Sequence, residues 1–322
     1  MHPFVAPLAF LLERFLGYPK VLLDGIGHPV MWYGRLIDYL EQRLNTTDRT
    51  DTERQQAGIV ALAVLLAVTF VVSLIVVRLL ALLEYGWVVE AVLAVPFLAQ
   101  KQLGEMVRTV ASALGVSIQS GREAVGHIVG RDTTGLDEAG VSRAAIESLA
   151  ENASDGVIAP LFWLVLLGLP GIALYKAINT ADSMIGHLDD RYRDFGWASA
   201  KLDDLANWIP ARLTALLMTA GCFFVTGASP SSAWKTARRD ARGHKSPNAG
   251  WPEAAMAGAL GFALGGPRDY DGETIELPTM GEGRRDLRAS DILRALELYR
   301  ATLNVALAVV VVVALLRLSG GF

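Results

Sequence analysis

The sequence predicts an all-α fold, a polytopic integral membrane helical bundle with broken or re-entrant helices and helical polar inserts. Three observations carry that expectation. Ala57–Val77 and Leu213–Ala233 are runs of 21 residues without a charge, and Ala301–Leu316 adds 16 more. A spanning helix needs about 20 mainly apolar residues. The 322-residue chain is 52% hydrophobic and only 19% charged, below the roughly 25% of soluble domains. Finally, Asp, Glu, Asn, Lys and Arg crowd both borders of an apolar segment between Arg143 and Leu213. Charge so near lipid is costly unless it is paired, solvated or used, so the pattern points to polar chemistry at a bilayer surface.

The elements follow in order. Phe4–Leu16 reads as a short apolar or interfacial helix ended by Gly17-Tyr18-Pro19, since Gly and Pro punctuate helices. His28-Pro29-Val30 opens the next, with Trp32, Leu36, Ile37 and Leu40 at helical spacing. Asn45–Gln56 reads as a polar linker. Ala57–Leu83 is the clearest transmembrane helix. Gly86–Ala99 is expected to return across the bilayer, kinked at Pro96, with Glu90 as an interfacial or partnered carboxylate. Lys101–Asp155 is a polar insert in which Asp132-Thr133-Thr134-Gly135 forms a loop before a helix starting near Asp137. Val157–Tyr175 holds 19 uncharged residues interrupted by Gly168-Leu169-Pro170-Gly171. Pro removes a helical hydrogen bond, so this segment spans with a break or re-enters. Ile209–Gly227 is another expected span, and Ala254–Gly266 is short and rich in small residues. Ser290 reads as an N-cap with Asp291 in the first turn of a helix running through Leu318. The expectation is one membrane-embedded domain over 1–322, with polar inserts at 101–156 and 228–300. The Lys and Arg excess in Ser229–Glu253 puts that segment on the cytoplasmic side, which implies a multi-pass protein of the inner membrane.

Composition also excludes. A net charge of −4 without a broad basic excess argues against a nucleic-acid partner. The single cysteine, Cys222, rules out a disulfide framework or a thiolate metal cluster. Met1–Leu12 lacks a basic n-region, and Glu13-Arg14 stands where a small-residue cleavage site would be expected, so no removable signal peptide is expected. There is no Walker phosphate loop, no Gly-x-Ser-x-Gly elbow and no His-Glu-x-x-His.

Three polar constellations remain. Arg143, Glu147, Glu151 and Asp155 recur every four residues and so share one helical stripe. That stripe is either a solvated face or a set of hard oxygen donors suited to Mg²⁺. Lys176–Trp208 holds Asp182, Asp189, Asp190, Asp194, Asp203 and Asp204. Asp203 and Asn207 share a face there, and Asp182, Gly186 and Asp189-Asp190 form a second possible grouping. Adjacent carboxylates such as Asp203-Asp204 repel without a cation nearby. Lys235, Arg238, Arg239 and Arg242 follow i, i+3, i+4, i+7 and place four cations on one face. Such a face suits phosphate or anionic lipid headgroups. His244-Lys245-Ser246-Pro247-Asn248-Ala249-Gly250 then reads as a donor-rich turn.

At these residues the sequence resembles the cobinamide-phosphate synthases of cobalamin biosynthesis (CbiB/CobD type). The resemblance runs along most of the chain. It is carried by Gly27-His28-Pro29-Val30, Val129-Gly130-Arg131-Asp132-Thr133, Glu147-Ser148-Leu149-Ala150-Glu151-Asn152 and Asp155-Gly156-Val157-Ile158-Ala159-Pro160. Tyr175-Lys176-Ala177-Ile178-Asn179-Thr180, Asp182-Ser183-Met184, Leu202-Asp203-Asp204 with Asn207–Leu213, Ser246-Pro247-Asn248-Ala249-Gly250 and Tyr270-Asp271-Gly272 complete it. Glu13 stands where the family is expected to carry Asp more often.

The resemblance implies an ATP-dependent amide ligase. It would join adenosylcobyric acid to (R)-1-amino-2-propanol phosphate, or a related amino-alcohol phosphate, through an acyl phosphate. The corrinoid is then a substrate, and ATP with Mg²⁺ the cofactor pair. The implied catalytic carboxylates are Glu151, Asp155 and Asp204. Metal ligands would come from Glu151, Asp155, Asp182, Asp203 and Asp204. Substrate and phosphate contacts would come from Arg131, Lys176, Lys235, Arg238, Arg239, Arg242, Lys245 and Ser246, with Asn152, Asn179 and Asn248 on corrin amides. Implied partners are the two substrates, the bilayer, and a second copy or later membrane enzymes of the corrinoid pathway. A membrane ligand sensor of related architecture without ligase activity, and a transporter, are the alternatives. The basic helix, the Asp203-Asp204 pair and the Ser246–Gly250 turn together favour the ligase.

Overall fold

The computed structural model describes residues 2–18, 24–25, 27–46, 48–130, 132–266, 268–270, 273–275 and 278–320. The chain divides into two compact units. The first comprises Met1–Ala99, Ala159–Asn207 and Val310–Phe322, and the second comprises Gln100–Ile158 and Trp208–Val309. The expected polar inserts, 101–156 and 228–300, both fall within the second.

In the first unit α1 (Val5–Leu16) precedes α2 (Pro29–Leu44). His28 caps α2, its Nδ1 accepting the Val30 amide at 3.3 Å, and Pro29 takes the first helical position, where its missing N–H costs nothing. The linker ends earlier than expected, because α3 runs Asp51–Leu80. Thr50 and Glu53 form a reciprocal capping box at its start, which draws the polar residues 51–56 into the helix. Small residues let α3 approach its neighbours closely. Ala57 and Ala61 pack with Leu62 and Leu65 against Ala177, Ala181 and Phe195. A Cβ on Gly58 would collide with the Phe195 carbonyl.

The expected return span over Gly86–Ala99 is corrected. The helix there, α4, is Gly86–Ala94, followed by a 3-10 turn at Val95–Phe97. Its 9 residues rise about 14 Å, half of a ~30 Å hydrocarbon core; Pro96 converts the kink into an end.

In the second unit, α5 (Gln100–Leu114) and α6 (Ile118–Gly126) lead to α7 (Glu138–Ala153). Asp137 caps α7 by accepting the Gly140 amide at 2.6 Å. A π-turn, Ser154–Ile158, joins α7 to α8, Ala159–Ile185. Inside α8, Gly168 takes φ 68° and ψ −155°, a left-hand conformation that only Gly adopts at little cost. The Gly-Leu-Pro-Gly interruption is therefore a true break. Its freed ends find charged partners of the right sign. The Leu169 amide donates to Glu90 Oε1 at 3.2 Å, and Arg317 Nη1 donates to the Val165 carbonyl at 2.8 Å.

Beyond it, α9 runs Trp197–Gly221 with a 3-10 turn at Cys222–Phe224, ending the expected 209–227 segment early. In the second unit follow α10 (Pro230–Asp240) and α11 (Gly250–Leu260). Gly261 then closes α11 in the left-handed conformation. The all-α reading missed two small antiparallel ladders: β1 (Leu264–Gly265) with β4 (Thr279–Met280), and β2 (Arg268–Tyr270) with β3 (Glu273–Ile275). The last helix, α12, is Ala289–Leu318. Ser290 lies inside its first turn rather than at the cap. Asp291 does the capping instead, accepting the Arg288 amide at 2.9 Å and pairing with Arg284 at 2.5 Å.

Among the described residues, three helical runs are long and apolar enough to cross a membrane: Asp51–Leu80, Glu138–Ile185 and Ala289–Leu318. The protein is an all-α membrane protein; α9 does not meet that measure.

Candidate functional site

In the first unit, α8 and α9 bring a polar chain together. The Tyr175 hydroxyl donates to Asn207 Oδ1 at 2.9 Å, and Asn207 Nδ2 donates to Asp203 Oδ2 at 2.9 Å. Asn179 Nδ2 reaches Asp203 Oδ1 at 3.4 Å, and Lys176 Nζ donates to Asn179 Oδ1 at 3.2 Å. Asn207 is 1% exposed and Asp203 9%. Burial, and then the neighbouring Asp182, push the Asp203 carboxyl up to about 6, against the amides that favour its charged form. Burial also raises Asp204, with Lys201 opposing. The Lys176, Asn179, Asp182, Asp203 and Asp204 of the sequence reading thus gather on two helices. Asp189 does not join them. It accepts the Arg191 and Tyr192 amides, both at 2.9 Å, and serves its own turn. His28 is lowered by burial and by the positive charge of Lys176.

In the second unit a pocket of about 400 Å³ opens beside α7. Ala144, Glu147, Ser148, Glu151 and Asn152 line one wall, at the i, i+3, i+4, i+7 and i+8 positions of one helical face. Ile128–Gly130, His244, Lys245, Glu253, Gly265 and Pro278 complete it. The wall is pre-tied. Gly265 donates its amide to Glu147 Oε1 at 2.6 Å, Ser148 Oγ donates to the Ile128 carbonyl at 3.1 Å, and Asn152 Nδ2 donates to the Ser148 carbonyl at 3.0 Å. Opposite, His244 Nδ1 lies 3.0 Å from the Ser246 amide and 3.2 Å from the Ser246 carbonyl, and its Nε2 lies 3.6 Å from Glu253 Oε1. Ser246 Oγ accepts the Asn248 and Ala249 amides at 3.2 and 3.1 Å. Ser246 therefore shapes the turn. A Cβ on Gly250 would lie 2.6 Å from His244 Cβ and from the Ala241 carbonyl, so the turn closes only on Gly.

The four-residue stripe is split. Glu147 and Glu151 line the pocket. Arg143 turns away to the Arg285 carbonyl at 2.7 Å. Asp155 lies in the π-turn, where one extra residue per turn shifts its phase off the α-helical face. The basic face is also divided. Lys235, Arg238 and Arg242 are exposed. Arg239 pairs with Asp240 and with Glu282, both at 2.5 Å, and Asp240 is lowered chiefly by that guanidinium. Asn248 is buried at 3% and receives Arg212 Nη1 at 3.4 Å. Arg131 lies outside the described residues.

For the metal, Glu151 and Asp155 belong to the second unit, and Asp182, Asp203 and Asp204 to the first. Among the described residues no three His, Cys, Asp or Glu are grouped to hold an ion. The donor set suits Mg²⁺, a hard cation held by one or two carboxylates with waters and substrate phosphate oxygens.

The family model for CobD/CbiB proteins matches residues 6–299. The chain belongs to the CobD/CbiB family. Among its relatives, the cobalamin biosynthesis protein CobD of Brucella suis is 48% identical over 321 residues, covering 98% of both chains. That of Rhizobium meliloti is 48% identical over 302 residues, 92% of both, and that of Rhodobacter capsulatus 50% over 296, 91% of both. No solved structure matches the chain.

Within this CobD/CbiB chain the residues that sequence reading left without a role are His28, Tyr175, Asn207, His244 and Glu253, while Glu147 was read only as part of the acidic stripe. All but Glu253 lie in or beside the motifs that carried the resemblance. Glu253 has no such signal: it is nine residues from His244, and only the fold of the Ser246–Gly250 turn brings the two together.

Proposed function

We propose that this protein is the ATP-dependent amide ligase that joins adenosylcobyric acid to (R)-1-amino-2-propanol phosphate, giving adenosylcobinamide phosphate. The carrying observation is the near-full-length identity to cobalamin biosynthesis proteins. The polar clusters on α8–α9 and beside α7 support it. A carboxylate is a poor electrophile. Transfer of the γ-phosphoryl group to the propionate oxygen releases ADP and gives an acyl phosphate. The amine attacks the acyl carbon, inorganic phosphate leaves, and the ammonium loses its protons to bases.

Phosphoryl transfer depends mainly on positioning and charge stabilisation. Exposed Lys235, Arg238, Arg242 and Lys245 are the cations that would draw phosphorylated substrates. Mg²⁺ on ATP would neutralise developing phosphoryl charge. The carboxylates that would hold it are Glu151 or Asp155 in the second unit, or alternatively Asp182, Asp203 and Asp204 in the first. The Ser246–Gly250 turn fixes Lys245 and His244 at the pocket.

The test is reconstitution. Detergent-purified protein is mixed with adenosylcobyric acid, aminopropanol phosphate and Mg-ATP. Mass spectrometry should find the amide and ADP only when all are present. Corrinoid binding without nucleotide turnover would refute the ligase and favour a sensor.

A further inference from the structure

Within the first unit a cavity of about 520 Å³ opens along α3. Val68, Thr69, Val72, Ser73 and Val76 line it at i, i+1, i+4, i+5 and i+8, so it follows one face of that helix. From Val68 to Val76 the helix rises about 12 Å, close to the ~15 Å depth of one leaflet's hydrocarbon. The slot lies where α4 ends, against Val92, Leu93 and Pro96. Its floor is buried, with Leu169 5% exposed and Ala173 4%, while Val68, Val72, Val92 and Leu93 form an exposed rim. The two hydroxyls on the floor are spent within α3: Thr69 Oγ1 donates to the Leu65 carbonyl at 2.8 Å and Ser73 Oγ to the Phe70 carbonyl at 3.0 Å. What suits such a slot is an alkyl chain that asks for no hydrogen bond.

We propose that this slot holds one acyl chain of a membrane phospholipid. It lies along a helix long and apolar enough to cross the bilayer, so the phase outside its rim is hydrocarbon. Apolar voids stay free of water, and one open to lipid fills with chain. A second copy of the protein suits the slot less well. Helices that pack in membranes approach one another through small residues. Here the small residues Thr69, Ser73 and Ala173 form the floor, behind a rim of Val and Leu. A partner helix would rest on the rim and leave the floor unfilled. A seated chain also covers Leu169, whose amide is tied to Glu90 Oε1 at 3.2 Å, and keeps water from the break in α8. The inference is independent of the reaction proposed above.

Photolabelling tests this. The full-length protein is reconstituted with phosphatidylethanolamine carrying a diazirine at mid-chain, illuminated, digested and mapped by mass spectrometry. Val71 and Ile75 are exposed on α3 outside the slot and should be labelled, as any lipid-facing side chain is. Buried Leu169 and Ala173 should be labelled too, whereas Ala177 and Ala181, just as buried in the same helix, should not. Val72→Trp at the rim and Ser73→Leu on the floor fill the slot. Each should bring the label on Leu169 and Ala173 down to the Ala177 level and leave Val71 and Ile75 unchanged. Thermal unfolding checks the fold of both variants, and Val72, 56% exposed, can change without touching the core. Leu169 and Ala173 labelled no more than Ala177 in the wild type, or as strongly in both variants as in the wild type, overturns the assignment. So does efficient disulfide formation between two copies of a Val72→Cys variant in the same membranes, which would make the slot an interface between copies.

Discussion

Glu90→Ala removes the carboxylate that holds one end of the break in α8. Gly168 interrupts the helix, and the Leu169 amide that would have bonded within it donates to Glu90 Oε1 at 3.2 Å. Both residues are buried, Glu90 at 6% and Leu169 at 5% exposed, so water does not replace the lost acceptor. An orphaned buried donor costs about 1–3 kcal/mol. A negative charge at the start of the second half-helix adds up to about 1 kcal/mol. Polar contacts in membrane proteins average nearer ~0.6 kcal/mol, because the unfolded chain in the membrane also finds partners. The amide here is backbone beside a proline and its acceptor is a carboxylate, so the larger figure applies, about 2 kcal/mol. Glu90→Gln keeps an acceptor oxygen and should lose less than ~1 kcal/mol. Reversible SDS-induced unfolding in mixed micelles, followed by tryptophan fluorescence, measures both. A Glu90→Ala protein as stable as wild type, or a Gln variant as weak as Ala, would refute the capping role.

Four further expectations follow from the geometry. Asp203 has a folded value of about 6 against an ordinary 3.8, so it favours the fold below pH ~4 and that contribution, ~3 kcal/mol at most, is lost as pH rises through 6. In EDTA, the stability drop between pH 4 and 7 should shrink in Asp203→Asn, and an unchanged profile would contradict the assignment. Arg317→Met should destabilise by about 1–2 kcal/mol in the same micelle assay, since the Val165 carbonyl at the other end of the break loses its donor. Gly58→Ala should cost more than ~2 kcal/mol, because its methyl meets backbone at Phe195; a neutral result would mean that α3 and the Phe195 turn separate freely. Arg239→Ala should change KM for ATP less than Arg238→Ala or Arg242→Ala, because its guanidinium is taken by Asp240 and Glu282; an equal loss in all three would restore the four-cation face.

What was legible in the sequence was local. Ala57–Val77 declares a membrane helix by composition, and His28-Pro29 and Asp137 announce helix starts through side chains that bond two or three residues on. The Gly168-Pro170 interruption shows a break because both residues act on their own backbone. The helical period also placed Asp203 and Asn207 on one face, and they do bond. Period fails where the period itself changes. The π-turn at Ser154–Ile158 removes Asp155 from the stripe that Glu147 and Glu151 share, and nothing in Ser-Asp-Gly-Val-Ile marks the extra residue.

Partners distant in sequence were not legible, and they decide what a charge is for. Glu90 reads as a lone acid in an apolar run until Leu169, 79 residues on, supplies its donor. Arg239 reads as one of four equal cations until Glu282 closes on it. The pocket shows the same limit most sharply. The sequence read the turn after the basic helix as an anion site, yet the described residues that line the pocket there, Lys245 among them, include Glu147, Glu151 and Glu253 and none of the four cations of that helix. Two of those acids, Glu147 and Glu253, are 106 positions apart in the chain and share a cavity only because the Ser246–Gly250 turn, closed on Gly250, delivers α11 to the face of α7. The lining of a site is assembled from several elements, and periodicity within one helix describes only one of them.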